Sequence, residues 1–266
     1  MKSFSDVLIV GFGYVGKATR KVYPDAQIWD PMAGHDTPIN WKTINLVIVC
    51  VPTPSNTIDG SCDTTIVEDV VKNFIPNADD YDGVIMIKST VAPGTTSKLV
   101  NQTGHDMVFC PEYIGEGGYW VPPEFPNPTN PVEHGFSIIG GHPDVCSRVI
   151  DGYLMPILGP STRYRIMNPT EAELVKYFTN TYLALKVVWA NEMRKICDQV
   201  PGVNYHVVRE GWQDDPRAGT SHSAAFPDKP GFDGKCFPKD MAALRAAFRS
   251  PFLEAIENTN KQNLGS

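Results

Sequence analysis

The first half of the chain alternates short apolar runs with amphipathic or polar stretches. Val7-Leu-Ile-Val10, Ala26-Gln-Ile-Trp29, Leu46-Val-Ile-Val-Cys-Val51, Val84-Ile-Met-Ile87, Met107-Val-Phe-Cys110 and Phe136-Ser-Ile-Ile139 read as buried strands. They are aliphatic without strict alternation, as expected of parallel strands covered on both faces. Helices are expected between several of them, at Tyr14 to Val22 and Thr64 to Ile75. This alternation predicts a doubly wound parallel sheet. The stretch from Trp120 to Pro131 holds five prolines and is expected to be a loop or extended chain.

From Pro169 the pattern changes. Thr170 to about Val200 runs without proline or glycine and is rich in helix formers; at ~1.5 Å per residue it predicts a helix of about 45 Å. Pro201-Gly202 ends it. A further short helix follows, then a loop from Gly211 to Gly234, then a last helix that begins near Pro238 and runs through Phe248. The expected division falls near residue 168, with a sheet domain over 1–168 and an all-α domain over 169–266.

Composition narrows the partners. A net charge of -7 over 266 residues argues against a nucleic-acid surface or an anionic membrane partner, so an anionic substrate needs locally placed cations and backbone amides. The six cysteines form no CxxC pair and, with no signal peptide, read as reduced thiols of a cytoplasmic protein. No apolar run is long enough to span a bilayer, and no spacing suggests a metal site.

Val7–Val10 runs directly into Gly11-Phe-Gly-Tyr-Val-Gly16. A GxGxxG between a strand and a helix lets the backbone approach a pyrophosphate, with the helix N-terminus offering free amides. Asp30 closes the next strand, about 20 residues on, where it is placed to accept from an adenosine ribose; the other reading is a surface-loop cap. No Lys or Arg lies between Asp30 and Lys42, which favours NAD over NADP. Cys50-Val-Pro-Thr-Pro54 and Lys88-Ser-Thr-Val-Ala-Pro-Gly94 follow the third and fourth predicted strands, so Thr53 and Thr90 are placed to line the cofactor cleft, although proline and threonine also suit ordinary turns.

The stretch Asp228-Lys-Pro-Gly-Phe-Asp-Gly-Lys-Cys-Phe-Pro-Lys-Asp240 carries the candidate nucleophile. It puts Cys236 at a helix start between Lys235 and Lys239, and both effects favour the thiolate. The competing reading is a buried structural thiol, which is favoured for Cys50 and Cys110 on their strands.

Taken together, Gly11–Gly16, Val51-Pro-Thr-Pro54, Lys88-Ser-Thr90, Pro111-Glu-Tyr-Ile-Gly-Glu116, Glu173-Leu-Val-Lys-Tyr-Phe-Thr-Asn180, Asn191-Glu192, Asp215-Pro-Arg-Ala-Gly219 and Gly231–Asp240 resemble, in order and over nearly the whole chain, the UDP-glucose/GDP-mannose dehydrogenase family. Within it the chain is most similar to members that act on UDP-glucose. The resemblance implies a Rossmann domain followed by a long-helix dimerisation and substrate domain. It also implies a four-electron oxidation of a nucleotide-sugar C6 alcohol, UDP-glucose to UDP-glucuronate first among the candidates, with two NAD. Cys236 adds to the aldehyde to give a thiohemiacetal, then a thioester that water hydrolyses.

Other roles follow from the matched positions. Lys176 and Asn180 share a helix face; in the family the corresponding residues stabilise a developing oxyanion and position a water, whereas alone Lys176 reads as part of a solvated face. Asp240 fixes that water and the lysine. Glu112 and Glu116, with Thr90 beside them, match residues of thioester hydrolysis and the sugar site. Tyr113, Ile114, Phe232 and Gly234 join them around the substrate. Arg217 matches an arginine that reaches the substrate across a homodimer formed through the 170–200 helix. The cofactor set is Gly11, Gly13, Tyr14, Val15, Gly16, Asp30, Val51, Pro52, Thr53, Ser89, Thr90, Glu116 and Lys239.

The match has gaps. Family members are generally much longer and end in a nucleotide-binding domain that holds the UDP; here the chain stops soon after the cysteine motif. The segment from Asp30 to Leu46 is short, Asp233 and Lys235 replace smaller residues, and Ala218 replaces an isoleucine. Starting at Met1 and ending without a tag, the chain reads as a natural short form, against a split enzyme or a truncated piece. Two other functions stay open: a β-hydroxyacid-type dehydrogenase, which needs no cysteine, and a non-catalytic NAD-binding subunit that completes a partner.

Overall fold

In the computed structural model, which describes residues 3–115 and 130–265, the sheet is built from β1 (Val7–Val10), β2 (Gln27–Trp29), β3 (Leu46–Val49), β4 (Val84–Ile87), β5 (Met107–Phe109), β6 (Phe136–Gly141) and β7 (Arg163–Met167). Their order is β2-β1-β3-β4-β5-β6-β7, with β1 to β5 parallel. Successive side chains of a strand point to opposite faces, and both faces are covered. Val7, Ile9, Leu46, Ile48, Val84 and Met86 join one apolar cluster; Leu8, Val10, Val47, Val49, Ile85 and Ile87 join the other. Double coverage is why these runs are continuously aliphatic, and each such side chain contributes about 2 kcal/mol by burial.

Helix α1 (Tyr14–Val22) follows β1, α2 (Thr65–Asp69) continues into a π-helical turn, Val70–Phe74, and α3 (Thr95–Thr103) follows β4. β2 and β3 flank β1 on opposite sides, so the chain diverges at the carboxyl ends of β1 and β3, the place where open α/β sheets bind ligands.

The parallel expectation holds for five strands and is corrected at the edge. β6 is antiparallel to β5, and β7 is parallel to β6. β7 was not expected at all. It is an edge strand whose residues are exposed or half-buried, so it carries no apolar run. Between β6 and β7 lie α4 (Pro143–Val149), a second π-helical turn and α5 (Met155–Leu158). The proline-rich stretch lies largely outside the described residues.

The described residues group into two compact units, one of 3–54, 62–115 and 130–176, the other of 55–61 and 177–265. Helix α6, Pro169–Asp198, has 30 residues and begins in the first unit and ends in the second. The second unit adds α7 (Tyr205–Gln213), α8 (Cys236–Phe248) and α9 (Pro251–Leu264). Ala184, Val188, Phe232, Met241 and Ile256 form one core cluster there; Ala190, Cys197, Tyr205 and Ala225 form another.

Two expected boundaries move. α7 passes through Gly211 to Gln213, so the loop starts later than Gly211. α8 begins at Cys236, not near Pro238. The first four amides of a helix have no intrahelical acceptor, so a proline at the third position costs no hydrogen bond.

Candidate active site

The glycine turn after β1 leaves no room for side chains at two points. Gly11 has φ +92°, and a Cβ there meets the Cys50 carbonyl at 2.8 Å; a Cβ on Gly16 lies 2.0 Å from the Gly11 oxygen. Gly13 faces open space and caps α1 without a side-chain hydrogen bond. The first-turn amides of α1 are therefore directed at whatever enters, a geometry that fits a dinucleotide pyrophosphate. Val15 packs on the core below, and the Tyr14 hydroxyl donates to the Gly115 carbonyl at 2.5 Å.

Asp30, directly after β2, accepts from the Phe12 amide at 2.7 Å and from the Ala33 amide at 3.2 Å. It therefore caps a local turn and also braces the glycine loop. A carboxylate has about four lone-pair directions, so capacity for a ribose hydroxyl remains.

The loops after β3 and β4 are stitched together. Thr53 Oγ1 donates to the Thr90 carbonyl at 2.7 Å, and Ser89 Oγ donates to the Val51 carbonyl at 2.7 Å. Both hydroxyl protons are used within the protein, which fixes the Val51-Pro52-Thr53 edge and leaves these oxygens as acceptors.

The segment after β5 is held by two lysines. Lys88 Nζ donates to the Cys110 carbonyl at 3.3 Å, while Lys176 Nζ donates to the Glu112 carbonyl at 2.5 Å and to its Oε1 at 3.1 Å. Lys176 also sits 5.0 Å from the centre of the Tyr113 ring, and Glu112 Oε2 accepts from the Ile114 amide at 2.6 Å. Burial alone raises a carboxyl pKa, but Lys176, the Ile114 amide and Lys88 together outweigh it and hold Glu112 below the ordinary value. Glu112 is thus an ionised carboxylate in a dry place, and Lys176 keeps a third N–H. One turn earlier on α6, Glu173 accepts from the amides of Gly94 and Thr96 and so caps α3. Glu116 lies outside the described residues.

In the second unit Asn180 Nδ2 donates to Asp240 Oδ2 at 2.6 Å and Lys239 Nζ donates to its Oδ1 at 2.7 Å. Asp240 is buried on the first turns of α8, the helix that Cys236 opens. Gly234, at φ +85°, turns the chain into that helix. Phe232 is fixed by Asn260 of α9, which accepts from its amide at 2.7 Å and donates to its carbonyl at 2.9 Å. Arg217 is exposed and paired with Asp215 two residues away.

The cysteines divide by surroundings. Cys236 is half-buried and in no disulfide. Cys50 and Cys110 sit just past β3 and β5, not on them, and are buried; burial pushes the Cys50 and Cys146 thiols up to about 11, which suits inert packing. Among the described residues no cluster of three His, Cys, Asp or Glu could hold a metal, and no helix is long and apolar enough to cross a membrane.

Lys88 in the first unit and Asn260 in the second carry structural tasks that the sequence did not single out. Lys88 stood inside a motif valued for its hydroxyls. Asn260 is a buried polar residue of a helix, and its target became visible only with the loop in place.

Two family models match the chain. Residues 32–137 match the NAD-binding domain of the UDP-glucose/GDP-mannose dehydrogenase family, and residues 170–262 match its central domain. The chain is 30% identical over 231 residues to a UDP-glucose 6-dehydrogenase of Rickettsia bellii, covering 83% of this chain and 50% of that protein. Over 242 residues it is 30% identical to UDP-glucose 6-dehydrogenase TuaD of Bacillus subtilis, covering 86% and 49%. The chain thus spans about half the length of these curated relatives. A UDP-glucose dehydrogenase structure from Pyrobaculum islandicum superposes with a TM-score of 0.72 at 22% identity, over 96% of this chain and 68% of that one. A UDP-D-ManNAc dehydrogenase from Pyrococcus horikoshii gives 0.71 at 21%, with the same coverage. At such identities the structures speak for the fold.

Proposed function

The chain belongs to the UDP-glucose/GDP-mannose dehydrogenase family, and from that premise we propose that it oxidises the C6 alcohol of a nucleotide sugar to a carboxylate, with Cys236 as covalent nucleophile. UDP-glucose is the first substrate to test; GDP-mannose and UDP-N-acetylmannosamine are the alternatives. The observation that carries the reading is the placement of Cys236 as the first residue of α8, with Lys239 and the buried Asp240 just behind it. NAD, when bound, takes up the hydride released in each of two oxidations.

The residues have separable tasks. The turn Gly11–Gly16 and Asp30 hold the dinucleotide, with Val51, Pro52, Thr53, Ser89 and Thr90 shaping the edge beside it. The third N–H of Lys176 steadies the substrate oxygen as it becomes negative. An aldehyde has no carbinol hydride until a nucleophile adds, so Cys236 attacks the C6 aldehyde carbon and the carbonyl oxygen takes up a proton. The second oxidation converts this thiohemiacetal into a thioester. Water then adds, the Cys236 thiolate leaves, and the carboxylate is released. The ionised Glu112 is suited to take the proton of that water. Asn180 and Asp240 fix a water, and Tyr113, Ile114, Phe232 and Gly234 contact the sugar nucleotide.

The active form we propose is a homodimer through α6. Phe178, Tyr182, Trp189 and Ile196 are each more than half exposed and recur at the spacing of a helix–helix seam. Large apolar side chains in such a row mark an interface, and a second copy fits the family's quaternary pattern. Arg217 then serves the partner's substrate.

The test is to trap the intermediate. In Glu112→Gln, hydrolysis slows and, after acid quench, mass spectrometry finds the sugar-nucleotide acyl group on the Cys236 peptide. Uronate formation by Cys236→Ala at the wild-type rate contradicts the proposal.

A further inference from the structure

Glu173 is fully buried on the first turns of α6, and the chemistry above gives it no part in the reaction. Its Oε2 accepts from the Gly94 amide at 2.5 Å and its Oε1 from the Thr96 amide at 2.9 Å. Both donors lie at the start of α3. Gly94, at φ +94°, offers no side-chain cap, and the first turn of α3 holds no acidic residue. A carboxylate against free first-turn amides is favoured by the helix dipole. Yet α3 takes its cap from a side chain 77 residues away, not from its own loop, where Ser, Thr, Asp or Asn ordinarily serves. Burial raises the Glu173 pKa in spite of both bonds, so the distant cap carries a desolvation cost that a local, exposed one avoids.

The distant cap does what a local one cannot, which is to tie the loop before α3 to α6. That loop, Lys88 to Gly94, carries Ser89 and Thr90, themselves joined to Val51 and Thr53. Lys176 follows Glu173 by three residues and shares its helix face; it holds Glu112, while Lys88 donates to the Cys110 carbonyl. The hydrogen bonds close a ring within the first unit. Glu173 joins α6 to the loop, Lys88 joins the loop to the segment after β5, and Lys176 joins that segment back to α6.

We propose that Glu173 is a positioning residue: its carboxylate fixes the Ser89–Thr90 edge, and with it bound NAD, relative to Lys176 on the same helix. It touches neither cofactor nor substrate and acts through the Gly94 and Thr96 amides. The clamp itself is independent of any reaction; only its consequence for NAD rests on the dehydrogenase reading.

The test uses the full chain. In Glu173→Gln one carboxyl oxygen becomes an NH2 group, which cannot accept, so one of the two amides loses its partner. Hydrogen exchange followed by mass spectrometry quickens over 88–96, while the peptide over β1 keeps the wild-type rate. The NAD Kd from calorimetry rises about three- to tenfold. Glu173→Asp keeps both acceptors on a shorter stem, so both changes persist there at smaller size, and it carries the test if the amide variant does not fold. Tyr153→Phe is the control for stability alone: it removes a hydrogen bond to Asp6, at the other end of β1 from the glycine turn, and lowers the melting temperature with the NAD Kd unchanged. Exchange over 88–96 that stays at the wild-type rate in both Glu173 variants overturns the proposal. So does an NAD Kd within about twofold of the wild type in Glu173→Gln, or an equal rise in Tyr153→Phe. A wild-type chain that binds no NAD overturns the cofactor reading instead, and the exchange data then decide the clamp by themselves.

Discussion

Lys176–Glu112 and Arg217–Asp215 are ion pairs of like chemistry in unlike surroundings. In the first the side chains are 4% and 9% exposed; in the second the arginine is 89% exposed. Water screens Arg217 and Asp215 and shares their hydrogen bonds, so their contact is local and replaceable. Among the described residues Lys176 and Glu112 have each other, a few backbone groups, the Tyr113 ring and the nearby charge of Lys88. The buried pair therefore holds two charges at a fixed place, while the exposed pair leaves Arg217 in contact with solvent.

Removing one member of each pair tests the contrast. Glu112→Ala leaves Lys176 buried and uncompensated and lowers unfolding stability by about 3–5 kcal/mol, measured by urea denaturation; a loss below about 1 kcal/mol means that water reaches Lys176. The same pair has a pH signature. Glu112 has a folded pKa below its unfolded one, so its stabilisation is present above the ordinary carboxyl range and is lost as pH falls through the folded value. The stability gap between wild type and Glu112→Gln accordingly narrows as pH falls from 7 through and below the ordinary carboxyl range.

A neutral buried bond lies between the extremes. Asn260→Ala strips Phe232 of both its backbone partners and costs about 1–3 kcal/mol, with thermal unfolding as the check. Trp189→Glu leaves the fold intact and shifts the chain to a monomer in light scattering, if α6 forms the dimer seam. Arg217→Ala sits at the bottom of the scale, with a melting temperature unchanged from wild type and lower turnover.

The same contrast explains what the sequence disclosed. Backbone-driven features were legible: the glycine turn, because Gly11 and Gly16 meet neighbouring backbone, and the aliphatic strands, because both sheet faces are covered. The 30-residue helix was legible because nothing in it interrupts a helix. β7 was not, since an exposed edge strand carries no apolar signal, and α8 was placed two residues late because proline was given only the first helical position. Side-chain partnerships were legible only by family pattern. Nothing local to Lys176, Glu112 or Asp240 announces whom each will meet, and Lys88 and Asn260 became visible only through their targets.

The measurement closest to the central claim is the ratio of NADH formed to sugar nucleotide consumed, in wild type and in Cys236→Ala. A covalent thiol mechanism gives two NADH per sugar in the wild type and none beyond the aldehyde stage in the variant. One NADH per sugar in the wild type, or two in Cys236→Ala, contradicts it.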